Sequence, residues 1–171
     1  MPLTLAELFA APKSLPAPVK WARNGDDLTF LSPLDLDGVT EQGLFLRGSA
    51  KLYRPDSFVV LQLEARRPGK RSGGQLERLC WRGNGHTNPN KGPLEYRMLE
   101  IEGSHYHDFN LNINQSGDEM RAGNLRVAVP MLPEPDDFQE LIDFCAGRLN
   151  IENLTLIDVP PWENSLLGGM W

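Results

Sequence analysis

From residue 19 to residue 132 the chain is a succession of short runs whose apolar residues recur at every second position, bounded by Gly, Asn, Pro or Asp. Period-two alternation puts alternate side chains on opposite faces of a strand, and tight turns between such runs favour antiparallel neighbours. "VKWAR" (19–23) and "LTFLS" (28–32) flank "NGDD", where Asn-Gly is a hairpin signal. "GLFLRGSAKLY" (43–53) reads as a strand that bends near Gly48. "SFVVLQLEARR" (57–67) and "QLERLCWR" (75–82) read as a hairpin across "PGKRSGG". "EYRMLEIEG" (95–103), "HYHDFNLNI" (105–113), "NLRVAVPML" (124–132, ended by Pro130) and "NLTLIDV" (153–159) supply the remaining strands.

One stretch keeps a helical period instead. Phe138, Leu141, Ile142, Cys145 and Leu149 form a single apolar stripe. Asp136 with Gln139 resembles a capping box at its start, and Gly147 suits its end. Thr4 and Glu7 have the capping-box spacing within an N-terminal helical segment, residues 1–15. The expected fold is α+β, a meandering and mostly antiparallel sheet of about seven to eight strands, open or curled into a half-barrel, with one C-terminal amphipathic helix packed on it. No repeat or linker divides the chain, so residues 1–171 are expected to form a single domain, with Trp162 docked on the sheet and 163–171 as a tail.

Composition narrows the functional classes. A chain of 171 residues, 40% hydrophobic and 23% charged, can bury a core without covalent staples. Cys80 and Cys145 make no disulfide framework and read as buried thiols. There is no basic and apolar leader and no apolar run long enough for a bilayer, so a cytoplasmic protein without a membrane partner is expected. A net charge of −6 opposes broad coating of nucleic acid and leaves room only for a local basic patch.

All three histidines fall between residues 86 and 107. His105 and His107 sit at i and i+2 of a strand and share a face, and His86 lies in the preceding loop, "GNGHTNPNKG". Asn84, Asn88 and Pro89 are expected to shape that loop. Convergent imidazoles suit either a metal pincer or proton transfer, and spacing alone does not separate the two. No cysteine or carboxylate motif accompanies the trio, so no metal and no cofactor is expected. The same face carries Phe109, Leu111 and Ile113, which equally fits core histidines. Arg66, Arg67, Lys70 and Arg71 crowd one hairpin tip, and Arg78 and Arg82 lie further along its second strand. Guanidinium beside imidazole suits phosphate, since one grips oxygens while the other moves protons. No phosphate-binding loop, dinucleotide fingerprint, Cys-x-x-Cys pair or nucleophile elbow is present.

The stretches "RLCWRGNGHTNPN", "SHYHDF", "RVAVPMLP" and "DDFQELIDFCAGRLNI" resemble an uncharacterised family of small bacterial proteins with an Arg-Leu … His-x-Asn-Pro … His-x-His pattern. Arg78, His86, Asn88, Pro89, His105 and His107 fall on matching positions. The chain departs from that pattern at Asn90, where an aspartate is expected, and at Cys80, where an aspartate is usual. The resemblance covers the C-terminal half best. It implies a prophage or mobile-element accessory protein with a toxin, antitoxin or anti-defence role.

The function expected is therefore a nucleic-acid or phosphoester-directed protein, with a metal-independent ribonuclease-like site as its enzymatic form. His86, His105 and His107 would be acid, base or transition-state contacts. Arg78 and Arg82 would hold phosphate, and Arg66, Arg67, Lys70 and Arg71 would meet a nucleic-acid backbone. The alternative is a non-catalytic binding protein, an antitoxin or anti-defence inhibitor, that meets a protein partner through its acidic surface or C-terminal tail.

Overall fold

Asn24 and Asp27 close the first hairpin around Gly25, whose φ of 63° is the left-handed conformation that a two-residue turn requires. This hairpin joins β1 (Ala22–Asn24) to β2 (Asp27–Leu36). A second two-residue turn, Asp37-Gly38 with φ of 49° and 75°, joins β2 to β3 (Val39–Lys51). The sequence reading missed this turn and left residues 33–42 unassigned. β4 (Val59–Ala65) and β5 (Gln75–Trp81) form the expected hairpin. The computed structural model describes residues 2–69, 74–121 and 125–164. Lys70 and Arg71 at the tip of that hairpin, and the tail from Ser165 with Trp171, lie outside the described residues.

The sheet continues in the order β1-β2-β3-β4-β5-β8-β9, all antiparallel, with β8 at His105–His107 and β9 at Ala128–Pro130. It does not close into a barrel among the described residues. A two-stranded ribbon stands apart from it, β6 (His86–Thr87) paired with β7 (Glu100–Ile101). Helix α1 (Leu5–Ala10) opens the chain with the expected Thr4–Glu7 capping box. Helix α3 (Phe138–Leu149) packs on the sheet through Phe138, Leu141, Ile142, Cys145 and Leu149, the predicted stripe. Its N-cap is Asp137 rather than Asp136, because the Asp137 carboxylate accepts from the Glu140 amide and Glu140 reaches back to the Asp136 amide. Its C-terminal stop is Asn150, left-handed at φ 52°, and not Gly147.

Several of the expected strands are cut short, and residues 124–132 keep only β9. In residues 105–113 only His105–His107 is extended. The Asp108 carboxylate then accepts from the Leu111 amide and caps a single helical turn, α2 (Phe109–Asn112). Phe109, Leu111 and Ile113 therefore do not share a strand face with the histidines. In residues 95–103 a 3-10 turn at Leu94–Tyr96 precedes the two residues of β7. Residues 153–159 form a 3-10 turn at Leu154–Leu156 and a single bridge from Ile157 to Val19, not a strand. Trp162 packs edge-on against Phe138 of α3, with ring centroids 6.1 Å apart, and lies against the core that α3 shares with the sheet.

The two faces of β4 and β5 differ in chemistry. Val59, Leu61 and Leu63 of β4 stand opposite Trp81, Leu79 and Glu77 of β5, on the face that meets α3. Glu77 is fully buried there. It accepts from Arg148 of α3 and from the Phe109 amide (3.0 Å), and the Arg148 guanidinium also lies over Tyr106. The other face carries Gln62, Arg78 and Cys80, and it is this face that leads to the histidines.

Candidate functional site

Register builds the site. Directly opposed residues of an antiparallel pair project to the same side of the sheet. Arg78 stands opposite His107 and Cys80 opposite His105. The row extends inward, with Gln62 opposite Arg78 and Arg47 opposite Gln62. The ribbon then brings His86 over this face. Its ring centroid lies 4.7 Å from that of His107 and 5.8 Å from that of His105, and the latter two are 5.1 Å apart. The three imidazoles thus form one cluster, as the sequence spacing suggested.

Each imidazole is oriented by a backbone carbonyl. His105 Nδ1 is 3.0 Å from the Gly103 oxygen, His107 Nδ1 is 2.7 Å from the Leu125 oxygen, and His86 Nε2 is 2.8 Å from the Arg126 oxygen. A carbonyl oxygen only accepts, so the ring nitrogen in each pair carries the proton. On His105 and His107 the second nitrogen, Nε2, is left with its lone pair when the ring is neutral. Two of the three carbonyls come from one short segment, and two buried asparagines hold that segment. Asn112 accepts from the Val127 amide and donates to the Val127 and Asp108 carbonyls. Asn88 does the same for Ala128 and also donates to the Tyr96 carbonyl. Leu125 takes a left-handed φ of 58°, a costly conformation for a branched side chain, and one that aims its carbonyl at His107. Gly85, beside His86, is needed for close approach, because a Cβ there would meet the Ile101 oxygen at 2.8 Å.

Burial decides the protonation state. His105 and His107 are 3% and 5% exposed. Loss of solvent pushes the His107 pKa down to about 3, and a charge there would also be repelled by Arg78 and by the neighbouring rings if they were protonated, against the bond that His107 donates to the Leu125 carbonyl. His105 is lowered for the same first reason. Both rings are therefore neutral near pH 7 and cannot serve as proton donors of the imidazolium kind. Desolvation likewise pushes the Cys80 thiol up to about 11, with Arg78 opposing. Arg78 bonds Gln62 Oε1 through Nε and Gln75 Oε1 through Nη2, each at 2.9 Å. No carboxylate pairs with it among the described residues, so its charge is held beside the imidazoles by neutral amides.

The other predicted cations among the described residues, Arg66, Arg67 and Arg82, are elsewhere and already engaged. β5 ends at Trp81, and Arg82 turns away with a left-handed φ of 49°. Its guanidinium donates to the Asp56 and Asp136 carbonyls and lies 3.5 Å from the Glu134 carboxylate. Arg66 pairs with Glu64 at 3.2 Å and covers the Phe45 ring. Arg67 pairs with Asp118 at 2.5 Å and reaches the Leu3 carbonyl. Asn88 shapes the loop as expected, Pro89 accepts from Lys91 and Met98 through its carbonyl, and Asn84 is exposed.

Cys80 was not counted with the histidines in the sequence, where it lies far from 105–107. The register places its Sγ within 4.8 Å of a ring nitrogen of both His105 and His107. A thiol therefore accompanies the histidine pair, where the sequence shows no cysteine beside the trio. Gln62 was also missed, since nothing in "VVLQLE" marks it as the support of Arg78.

The fold and site define an α+β protein with a histidine-lined sheet face roofed by a short ribbon. No family model, curated protein or solved structure matches the chain.

Proposed function

We propose that this face binds a phosphate-type anion, and that the protein is directed at nucleic acid or another phosphoester. The observation that carries the reading is Arg78. A cation without a carboxylate partner among the described residues, fixed by two glutamines beside the histidine cluster, is arranged for an anion that arrives from outside. The other described arginines of the expected binding set, Arg66, Arg67 and Arg82, spend their charge on internal carboxylates.

The division of labour follows from exposure. Arg78 holds the phosphate oxygens. His86, the most exposed of the three rings, exchanges protons with solvent and with a leaving or attacking oxygen. His105 and His107, kept neutral, present lone pairs rather than acidic protons on this face and are not the proton donors.

The test is binding of inorganic phosphate and of a short single-stranded RNA to the purified protein and to Arg78→Gln at low salt. The expected result is weaker binding of both by tenfold or more in the variant, with a salt slope lower by about one unit. Equal binding by the variant, or no binding by the native protein, overturns the reading.

A further inference from the structure

Cys80 is the group of this face that the anion reading leaves without a task. It stands opposite His105, and its sulfur and one ring nitrogen each of His105 and His107 lie within 4.8 Å of one another. Zinc holds nitrogen at about 2.0–2.1 Å and thiolate at about 2.3 Å, so tetrahedral ligand atoms sit about 3.3–3.6 Å apart. The observed limit of 4.8 Å exceeds that spacing by about 1.2–1.5 Å, a distance on the scale of side-chain rotation.

A second, independent observation points the same way. A ligating histidine needs its other ring nitrogen tied down, because that bond sets the tautomer and aims the lone pair. Both histidines have that bond, His105 to Gly103 and His107 to Leu125. The support goes further than a core histidine requires. Leu125 is held in a left-handed conformation, and the adjoining strand is clamped by Asn88 and Asn112.

We propose that Cys80, His105 and His107 bind a single zinc ion through Sγ and the two Nε2 atoms, with the fourth position open towards His86. On binding, the metal–sulfur bond forms as the S–H bond breaks, and the proton leaves to solvent. Both imidazoles keep their Nδ1 protons on the carbonyls, so one proton is released per ion. A thiolate with two imidazoles is a borderline-soft donor set, so magnesium and calcium do not compete. Three protein ligands and one open corner is the arrangement of a site that leaves room for water or substrate. The inference does not depend on anion binding by Arg78.

The test uses the full chain, stripped with a chelator and titrated with cobalt(II) as the spectroscopic probe. One equivalent is expected to give a thiolate-to-cobalt charge-transfer band with the visible bands of a tetrahedral site, displaced by zinc and unaffected by magnesium. The band is expected to vanish in Cys80→Ser and His107→Ala and to persist in Cys145→Ala. A measurement on the native protein guards against variants that fail to fold. Zinc is expected to slow alkylation of Cys80 at least tenfold, read by peptide mass spectrometry. Absence of the band in the native protein together with unprotected Cys80 overturns the proposal, as does a band that survives Cys80→Ser. Arg78→Gln separates the two readings, since it is expected to lose phosphate and keep the cobalt band.

Discussion

Replacing Arg148 with methionine keeps the stem of the side chain and removes its charge, leaving Glu77 buried without a cation. The Glu77 side chain is fully buried and that of Arg148 is 26% exposed. Breaking a buried ion pair from one side costs about 3–5 kcal/mol, and the partial exposure of Arg148 places this case near the lower end, about 3 kcal/mol. For a chain of this size that is a fall in Tm of about 6–12 °C. The cost should depend on pH. Burial raises the Glu77 pKa in the native protein, against the pull of Arg148 and the Phe109 amide, and loss of Arg148 raises it further. A carboxyl whose folded pKa lies above its unfolded value favours folding only while protonated. The variant's deficit is therefore smallest at acid pH, where Glu77 is protonated in both states, and grows as pH rises through the folded pKa. Glu77→Gln added to Arg148→Met removes the stranded charge, retains an acceptor for Phe109 and should recover most of the loss. Thermal unfolding of the native, single and double variants from about pH 4 to pH 7 measures all of this. A deficit that is flat with pH, or a double variant no more stable than the single one, would refute the account of Glu77 as a carboxylate stabilised by Arg148.

Three further outcomes are expected. Asn88→Ala strands the amide and carbonyl of Ala128, and at about 1–3 kcal/mol for each buried unpaired group it should cost at least about 2 kcal/mol in urea unfolding; a loss under about 0.5 kcal/mol would mean that the clamp carries no load. Gly85→Ala should push the ribbon from Ile101 and free His86 from the Arg126 carbonyl, changing the imidazole 15N shifts of His86 while those of His105 and His107 stay; an unchanged His86 signal counts against the close-approach argument. Lys13 is 1% exposed and burial pulls its pKa down to about 8, so the native protein should gain stability relative to Lys13→Met as pH rises from about 8 to about 10; a pH-independent difference would show that the amine is not depressed.

What could be read from the residues was what local chemistry encodes. Asn-Gly at 24–25, the stripe from Phe138 to Leu149 and the alternation of residues 57–67 and 75–82 each carry their instructions within a dozen residues. The stretch 105–113 failed because its alternation is genuine up to His107, where Asp108 then offers the backbone a cap and a helical turn wins. The convergence of the three histidines was legible, because their closeness in sequence limited where they could lie. The placement of Cys80 was only half legible. Its side of β5 followed from alternation with Arg78, but the register against residues 105–107 is a long-range fact with no local signature. The groups that orient the rings were hidden altogether, since they are main-chain carbonyls at Gly103, Leu125 and Arg126.

The latch between Glu77 and Arg148 also orders events during synthesis. Strands β2 to β5 each pair with the strand just before, so residues 22–81 can assemble as the chain emerges. β5 then waits at the ribosome with an open edge that bears Arg78 and Cys80, until residues 105–107 arrive to cover it. The carboxylate of Glu77 waits longer still, for a guanidinium supplied by the last helix. A nascent or truncated chain that ends before residue 105 thus presents a bare strand edge and an unprotected thiol together, a combination that invites cross-linking between neighbouring chains, whereas one that ends between β8 and α3 has that edge covered and strands only the Glu77 carboxylate.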